Sequence, residues 1–272
     1  GEGVVNLQRE GSQWLVTTHL TVYKVAAVVF ATGSSSSAWK LLANLGLQVA
    51  APVPSLFTFN IKDPRIANLP GVSFDQTGVR IVGSKLSEEG PMMITHWGLS
   101  GPAILKLSSI GAIDLHQRKY RFEILINFLK GLTEDEVRSA WHDYISTHAS
   151  RRVINHPLWG LPKRFWEQMI KYCGISTEAT YGQVSKKSRN KLIEELIQGR
   201  YKVDGKSTFK EEFVTAGGVE LSEVDLKSFS AKRFPGLYLA GEVLNIDALT
   251  GGFNFQACWS AGWLISEAIA GE

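Results

Sequence analysis

The sequence predicts an α/β fold in which an outer domain, made of both chain ends, is interrupted by a strand-rich insertion and then a helical one. Three observations predict it. Near each end lies a short apolar run, the pattern of a buried strand in a parallel sheet, and each run leads into a glycine turn: residues 25–31 before Thr32-Gly33, and residues 236–240 before Gly241-Glu242. Residues 52–130 hold short strand patterns separated by Gly, Pro and Asp, the texture of an antiparallel barrel or curved sheet. Residues 131–200 then carry three apolar stripes at helical spacing. The boundaries so predicted are 1–51 with 208–272 for the outer domain, 52–130 for the strand-rich insertion and 131–207 for the helical one.

The chain opens on a β meander, with residues 4–9 and 14–17 on either side of a turn at Glu10-Gly11-Ser12. The run 25–31 reads as one buried strand. Serines 34–37 then lead into a helix over 38–45, closed by Gly46. From Pro52 the expected strands are 56–61, 72–74, 79–82, 92–95 and 122–128, with a turn near Gln76-Thr77-Gly78. Thr133 and Glu136 have capping-box spacing, so hydroxyl and carboxylate can satisfy free backbone N–H groups at a helix start. Val137, Ala140, Trp141, Tyr144 and Ile145 form that helix's inward stripe. A second helix runs from Pro162 with Phe165, Trp166, Met169, Ile170 and Cys173 inward, and stops at Gly174. The third carries Leu192, Ile193, Leu196 and Ile197 and ends at Gly199. Such stripes read as helix-packing core rather than a cofactor box. An apolar helix over 254–270 closes the chain.

Composition excludes several classes. Twenty-nine Lys and Arg stand against 26 Asp and Glu in 272 residues, and this mild, dispersed excess gives no sign of a nucleic-acid partner. Arg151-Arg152 and the run Lys186-Lys187-Ser188-Arg189 read as solvated helix ends. Cys173 and Cys258 are far apart and in no metal-ligand spacing, which fits a reducing cytosol and no metal site. No apolar run is long enough to span a bilayer, and the start does not resemble a signal peptide. The expectation is a soluble cytoplasmic protein acting on a small molecule, with no nucleic acid and no membrane as partner, and with a homo-oligomer left open.

The chemistry gathers at the two glycine turns. Ligands of open α/β sheets collect at the carboxyl ends of strands, where glycine lets a phosphate approach the backbone. Glu242 adds a carboxylate able to accept hydrogen bonds from sugar-like hydroxyls, Gly251-Gly252 adds close backbone access, and the helix from Asn254 points its positive end back at the same place. Any one of these glycines alone would be explained by a turn. The ordered set is better explained by a ligand.

These residues carry a resemblance. The string Gly236-Leu237-Tyr238-Leu239-Ala240-Gly241-Glu242-Val243-Leu244, followed by Thr250-Gly251-Gly252-Phe253-Asn254-Phe255-Gln256-Ala257, resembles the terminal FAD motif of the HI0933-like flavoproteins. Thr215-Ala216-Gly217-Gly218-Val219 is similar to that family's T-A-G-G-V element. The run from Thr95-His96-Trp97-Gly98-Leu99-Ser100-Gly101 to Pro102-Ala103-Ile104-Leu105 resembles its T-H-x-G-L-S-G-P-A-I-L signature, and Ala31-Thr32-Gly33 its A-T-G turn. The resemblance implies a Rossmann-like FAD-binding domain with two inserted domains, flavin redox chemistry, and NAD(P)H as a candidate co-substrate. By position it implies Glu242 at the ribityl or pyrophosphate part of FAD. Gly251, Gly252, Phe253, Asn254, Phe255 and Gln256 would lie along pyrophosphate and isoalloxazine, with Ala31, Thr32 and Gly33 near the adenosine half and Gly241 in the turn before Glu242. His96 either faces substrate beside the flavin or caps the loop before Gly98.

The chain departs from the family pattern at Asn245, where an aspartate is frequent, and at Ala248, where a glycine is common. No G-x-G-x-x-G follows a strand near the start, so the outer domain is expected to be an N-terminally truncated version with weak or no FAD binding of its own. Three readings compete: a flavin-dependent oxidoreductase moving hydride between a reduced nicotinamide or small organic substrate and an acceptor; a non-catalytic fragment whose inserted domains bind a partner; and an RNA-modifying flavoprotein, disfavoured by the modest net charge of the helical block.

Overall fold

The computed structural model describes residues 2–207, 214–249 and 252–271. The chain forms two compact units: an outer unit of residues 1–55 and 213–272, and an inserted unit of residues 56–212.

The outer unit begins with an antiparallel meander of β1 (Val4–Glu10), β2 (Gln13–Thr18) and β3 (Val22–Val25). β4 (Val28–Phe30) leads to α1 (Ser36–Asn44), whose cap Ser35 accepts the Ala38 N–H, and β5 (Val49–Ser55) leaves the unit. The apolar run 25–31 is therefore two strands, not one. Val25 stays paired with Trp14 in the meander, whereas Val28 donates its N–H to Gly236 O at 2.8 Å in another sheet. Continuous apolarity marks both pieces alike, so it cannot locate the break. β4 also ends its sheet, and Val29 is 44% exposed.

In the inserted unit β6 (Thr58–Asn60), β7 (Ser73–Ile81), β8 (Ser87–Ile94) and β9 (Gly98–Ser100) precede α2 (Pro102–Ile110), α3 (Ala112–Gln117) and β10 (Arg121–Asn127). Then come α4 (Glu134–His148), α5 (Lys163–Tyr172), α6 (Lys186–Gln198), β11 (Gly199–Asp204) and β12 (Lys206–Ser207). The antiparallel sheet runs β11-β10-β7-β8-β9-β6-β12. Its two edge strands are neighbours in sequence, separated by Gly205 alone. Gly205 donates to Tyr120 O at 2.8 Å and accepts from Asn60 N at 3.0 Å, so one bent segment joins both edges and closes a barrel. Residues 76–78, expected to form a turn, instead lie within β7, where the register slips between Phe74 and Thr77: a bulge that bends the strand without ending it.

The Thr133–Glu136 capping box forms as the spacing predicts. Val137 and Trp141 of α4, Phe165, Trp166, Met169 and Ile170 of α5, and Leu192, Ile193 and Leu196 of α6 join one core with barrel residues such as Ile124 and Phe128.

The chain re-enters the outer unit through β13 (Val214–Val219), antiparallel to β5, then β14 (Val224–Asp225), β15 (Ser230–Ala231), β16 (Leu237–Leu239) and α7 (Phe253–Ala270). β16 runs parallel to β4. Successive strand side chains face opposite ways, so Leu237 and Leu239 enter a core with Trp14, Phe30, Trp39 and Leu42, while Tyr238 packs with Ala240 and with Ala261 and Ile265 of α7. Burial on both faces explains why β16 has no polar alternation.

Candidate functional site

Parallel pairing brings the ends of β4 and β16 side by side. Leu239 lies opposite Phe30, and Ala240 N donates to Phe30 O at 2.9 Å, so the Ala31-Thr32-Gly33 and Gly241-Glu242 turns leave the sheet together. Ser34 Oγ, just beyond the first turn, donates to Glu242 Oε2 at 2.7 Å. Gly33 has φ +61°, and a Cβ there would meet no atom within 4 Å, which leaves this turn open on its outer side. Gly241 has φ +73°, and a Cβ there would sit 3.0 Å from Cys258 Sγ on α7, so this turn needs glycine for both conformation and space. Ala31 and Thr32 are exposed, and Glu242 is half-buried.

The start of α7 lies in the same unit. Its cap residue Gly252 adopts φ +84° and offers no side chain, so the first backbone N–H groups have no side-chain acceptor. Asn254 is occupied structurally: its Oδ1 accepts Ala248 N–H at 2.9 Å and its Nδ2 donates to Ala248 O, bracing the loop ahead of the helix. Gln256 Nε2 donates to Ser260 Oγ at 3.2 Å. Phe253 and Phe255 are 60% and 68% exposed, and Phe255 stacks on the equally exposed Trp259. Gly251, with Thr250, lies outside the described residues.

Sequence reasoning missed Ser34, which stood in the serine run without an assigned role, although its place directly after a strand-end glycine was a usable signal. It also left open what the T-A-G-G-V element does. A Cβ on Gly217 would come within 2.8 Å of Ala51 O, and one on Gly218 within 2.7 Å of Val243 O, so these glycines allow close backbone packing rather than ligand approach. Asn245 fixes the contact: its Oδ1 accepts Gly217 N–H at 3.0 Å and its own N–H donates to Val219 O at 2.8 Å.

His96 belongs to the inserted unit. It is exposed on the β8–β9 loop and lines a cavity of about 680 Å³ with Lys62, Asp63, Asn68, Thr95 and Arg164. It does not cap the loop. Thr95 Oγ1 does, accepting the Trp97 and Gly98 N–H groups at 3.3 and 3.2 Å. Among the described residues no group of three or more His, Cys, Asp or Glu could hold a metal, and no helix is long and apolar enough to cross a membrane.

The chain is similar to three characterised proteins. It is 27% identical over 242 residues to the ribosomal RNA dihydrouridine synthase of Escherichia coli (strain K12), covering 87% of this chain and 57% of that protein. It is 26% identical over 241 residues to the 3-dehydro-bile acid delta(4,6)-reductase of Clostridium scindens, covering 88% and 58% respectively. The ribosomal RNA dihydrouridine synthase of Haemophilus influenzae is 26% identical over 266 residues, covering 97% and 63%. The chain thus spans about three fifths of the length of the relatives it matches. Two of the three act on RNA, which overturns the expectation of no nucleic-acid partner. That expectation rested on net charge averaged along the chain, and an average hides local segregation of sign. Residues 53–214 match the HI0933-like protein barrel and H2TH domain, so the chain belongs to the HI0933-like family.

Proposed function

We propose that the protein is a flavin-dependent reductase that adds two hydrogens across a carbon–carbon double bond, with FAD as cofactor, NAD(P)H as reductant and uridine in ribosomal RNA as substrate. The observation that carries the reading is the pairing of the Ala31-Thr32-Gly33 and Gly241-Glu242 turns at the ends of two parallel strands, with Ser34 bonded to Glu242 at 2.7 Å. Nucleotide cofactors of open α/β sheets lie at such strand ends. The residues fit FAD by their donor chemistry. Glu242 accepts sugar or ribityl hydroxyls, held in place by Ser34. Gly33 presents open backbone, and the uncapped start of α7 directs N–H groups toward negative charge. Asn254 keeps the preceding loop in position through Ala248.

When bound, the flavin supplies hydride transfer. The overall reaction balances as one hydride from NAD(P)H and one proton from solvent, added to the two carbons of the double bond. The relatives support the substrate class: a dihydrouridine differs from uridine by two hydrogens, and the bile-acid enzyme is named a reductase. The test supplies the protein with FAD, NADPH and ribosomal RNA and looks for uridine that has gained two hydrogens, by mass spectrometry of digested nucleosides. NADPH oxidation without any dihydrouridine would reject RNA as substrate; no NADPH oxidation by flavin-loaded protein would reject the reductase reading itself.

A further inference from the structure

Charge is segregated along this chain. Residues 149–207 hold twelve Lys and Arg against five Asp and Glu, while the rest of the chain holds 17 against 21. Three basic residues of the segment are neutralised locally: Arg152 by Glu178, Lys163 by Glu167 and Arg200 by Glu123. Glu195 is turned toward the buried Arg65. Lys171, Lys186, Lys187, Arg189 and Lys191 form no ion pair among the described residues. Lys187 and Lys191 stand one turn apart on α6, whereas Arg189 Nη1 turns to His142 Nε2 of α4 at 3.4 Å. Lys191 Nζ lies 4.8 Å above the Tyr172 ring and donates to Tyr172 O, which sets the first half of α6 against the end of α5, where Lys171 stands. The first turn of α6 contains no acid, and Lys186 and Lys187 there oppose the helix dipole. Such a placement works against the fold and favours an external anion.

We infer that Lys171, Lys186, Lys187 and Lys191 form the surface on which the inserted unit docks the phosphodiester backbone of RNA. This rests on the proposed RNA substrate and adds where that RNA is held. A backbone contact needs cations with no carboxylate partner and no base-specific geometry. A membrane surface would call for apolar anchors beside the charges, and none of the exposed large apolar side chains among the described residues lies within 149–207.

The test measures binding of the chain to protein-free ribosomal RNA and to a fluorescein-labelled RNA hairpin over a range of salt. In K186Q/K187Q/K191Q, affinity falls at least about tenfold and the slope of log K against log salt drops by about 2–3, one counterion per lost phosphate contact. K186R/K187R/K191R keeps wild-type binding, and K40Q/K85Q/K227Q, which neutralises exposed lysines elsewhere, changes affinity less than threefold by the same reasoning. Wild-type RNA binding with an unaffected K186Q/K187Q/K191Q variant, or an equal loss in the control variant, overturns this surface while leaving the RNA substrate standing. A wild-type chain that binds neither RNA overturns both.

Discussion

Ser34 Oγ donates to Glu242 Oε2 at 2.7 Å, joining two residues 208 positions apart in sequence at the ends of neighbouring parallel strands. The bond orients the carboxylate, whose other oxygen has no hydrogen-bond partner among the described residues. In the proposed FAD site the two turns would act together, and perturbing either residue should register on the same ligand.

Glu242→Gln should weaken FAD binding by about 10- to 100-fold, since a hydrogen bond to a charged group contributes about 1.5–3 kcal/mol. Ser34→Ala removes only the orienting hydroxyl and should weaken it by less than about tenfold. Quenching of flavin fluorescence on titration measures both. Unchanged affinity in Glu242→Gln would remove this residue from the cofactor site.

Gly218→Ala should destabilise the outer unit by about 2–4 kcal/mol, combining the cost of φ +116° for a side-chain-bearing residue with overpacking against Val243 O and Leu244. Urea unfolding followed by Trp fluorescence reads the loss. FAD affinity per folded molecule should stay at the wild-type value, because the glycine packs backbone against backbone. A selective loss of FAD affinity at unchanged stability would put the T-A-G-G-V element in the ligand site instead.

The regular elements were legible where one physical requirement dominated. The box of Thr133 and Glu136, the stripe of Phe165, Trp166, Met169 and Ile170, and the two-faced apolarity of residues 237–239 each demand one local structure. Where two structures meet the same demand, the pattern was ambiguous. Residues 25–31 are apolar throughout yet serve two sheets, and residues 76–78 carry turn composition yet only bulge a strand. At the candidate site the turns could be read from glycine and strand ends, but not the Ser34–Glu242 bond, which depends on strand order. The cationic surface was masked differently: Glu134, Asp135 and Glu136 at the start of α4 offset in sequence the lysines of α6.

Arg65 tests how the inserted unit tolerates charge in its core. Its guanidinium bonds Asp63 at 2.8 and 2.6 Å, Glu195 at 2.5 Å and Arg200 O, and lies 3.7 Å above the Tyr201 ring. Arg65→Ala strands two largely buried carboxylates and should cost about 3–5 kcal/mol in urea unfolding. Combining it with Asp63→Asn and Glu195→Gln should restore part of that. A loss below about 1 kcal/mol in the single variant would show the network contributes little.

Cys173 predicts the response to alkali. Burial pushes its thiol from an ordinary 9.0 up to about 12, with Lys191 opposing the shift more weakly. The folded state therefore disfavours the thiolate. Below about pH 9 the thiol is protonated in folded and unfolded chains alike, and pH has no effect through it. As pH rises from about 9 toward 12 the unfolded thiol ionises while the folded one does not, so stability falls, by about 2–3 kcal/mol at pH 11. Tyr181 and Tyr201, also raised by burial, act in the same direction at higher pH. Cys173→Ala lowers stability at neutral pH by loss of packing but should flatten the decline between pH 9 and 11, measured by urea unfolding at each pH. Parallel pH profiles for the variant and the wild type would show that this thiol is not the group that titrates.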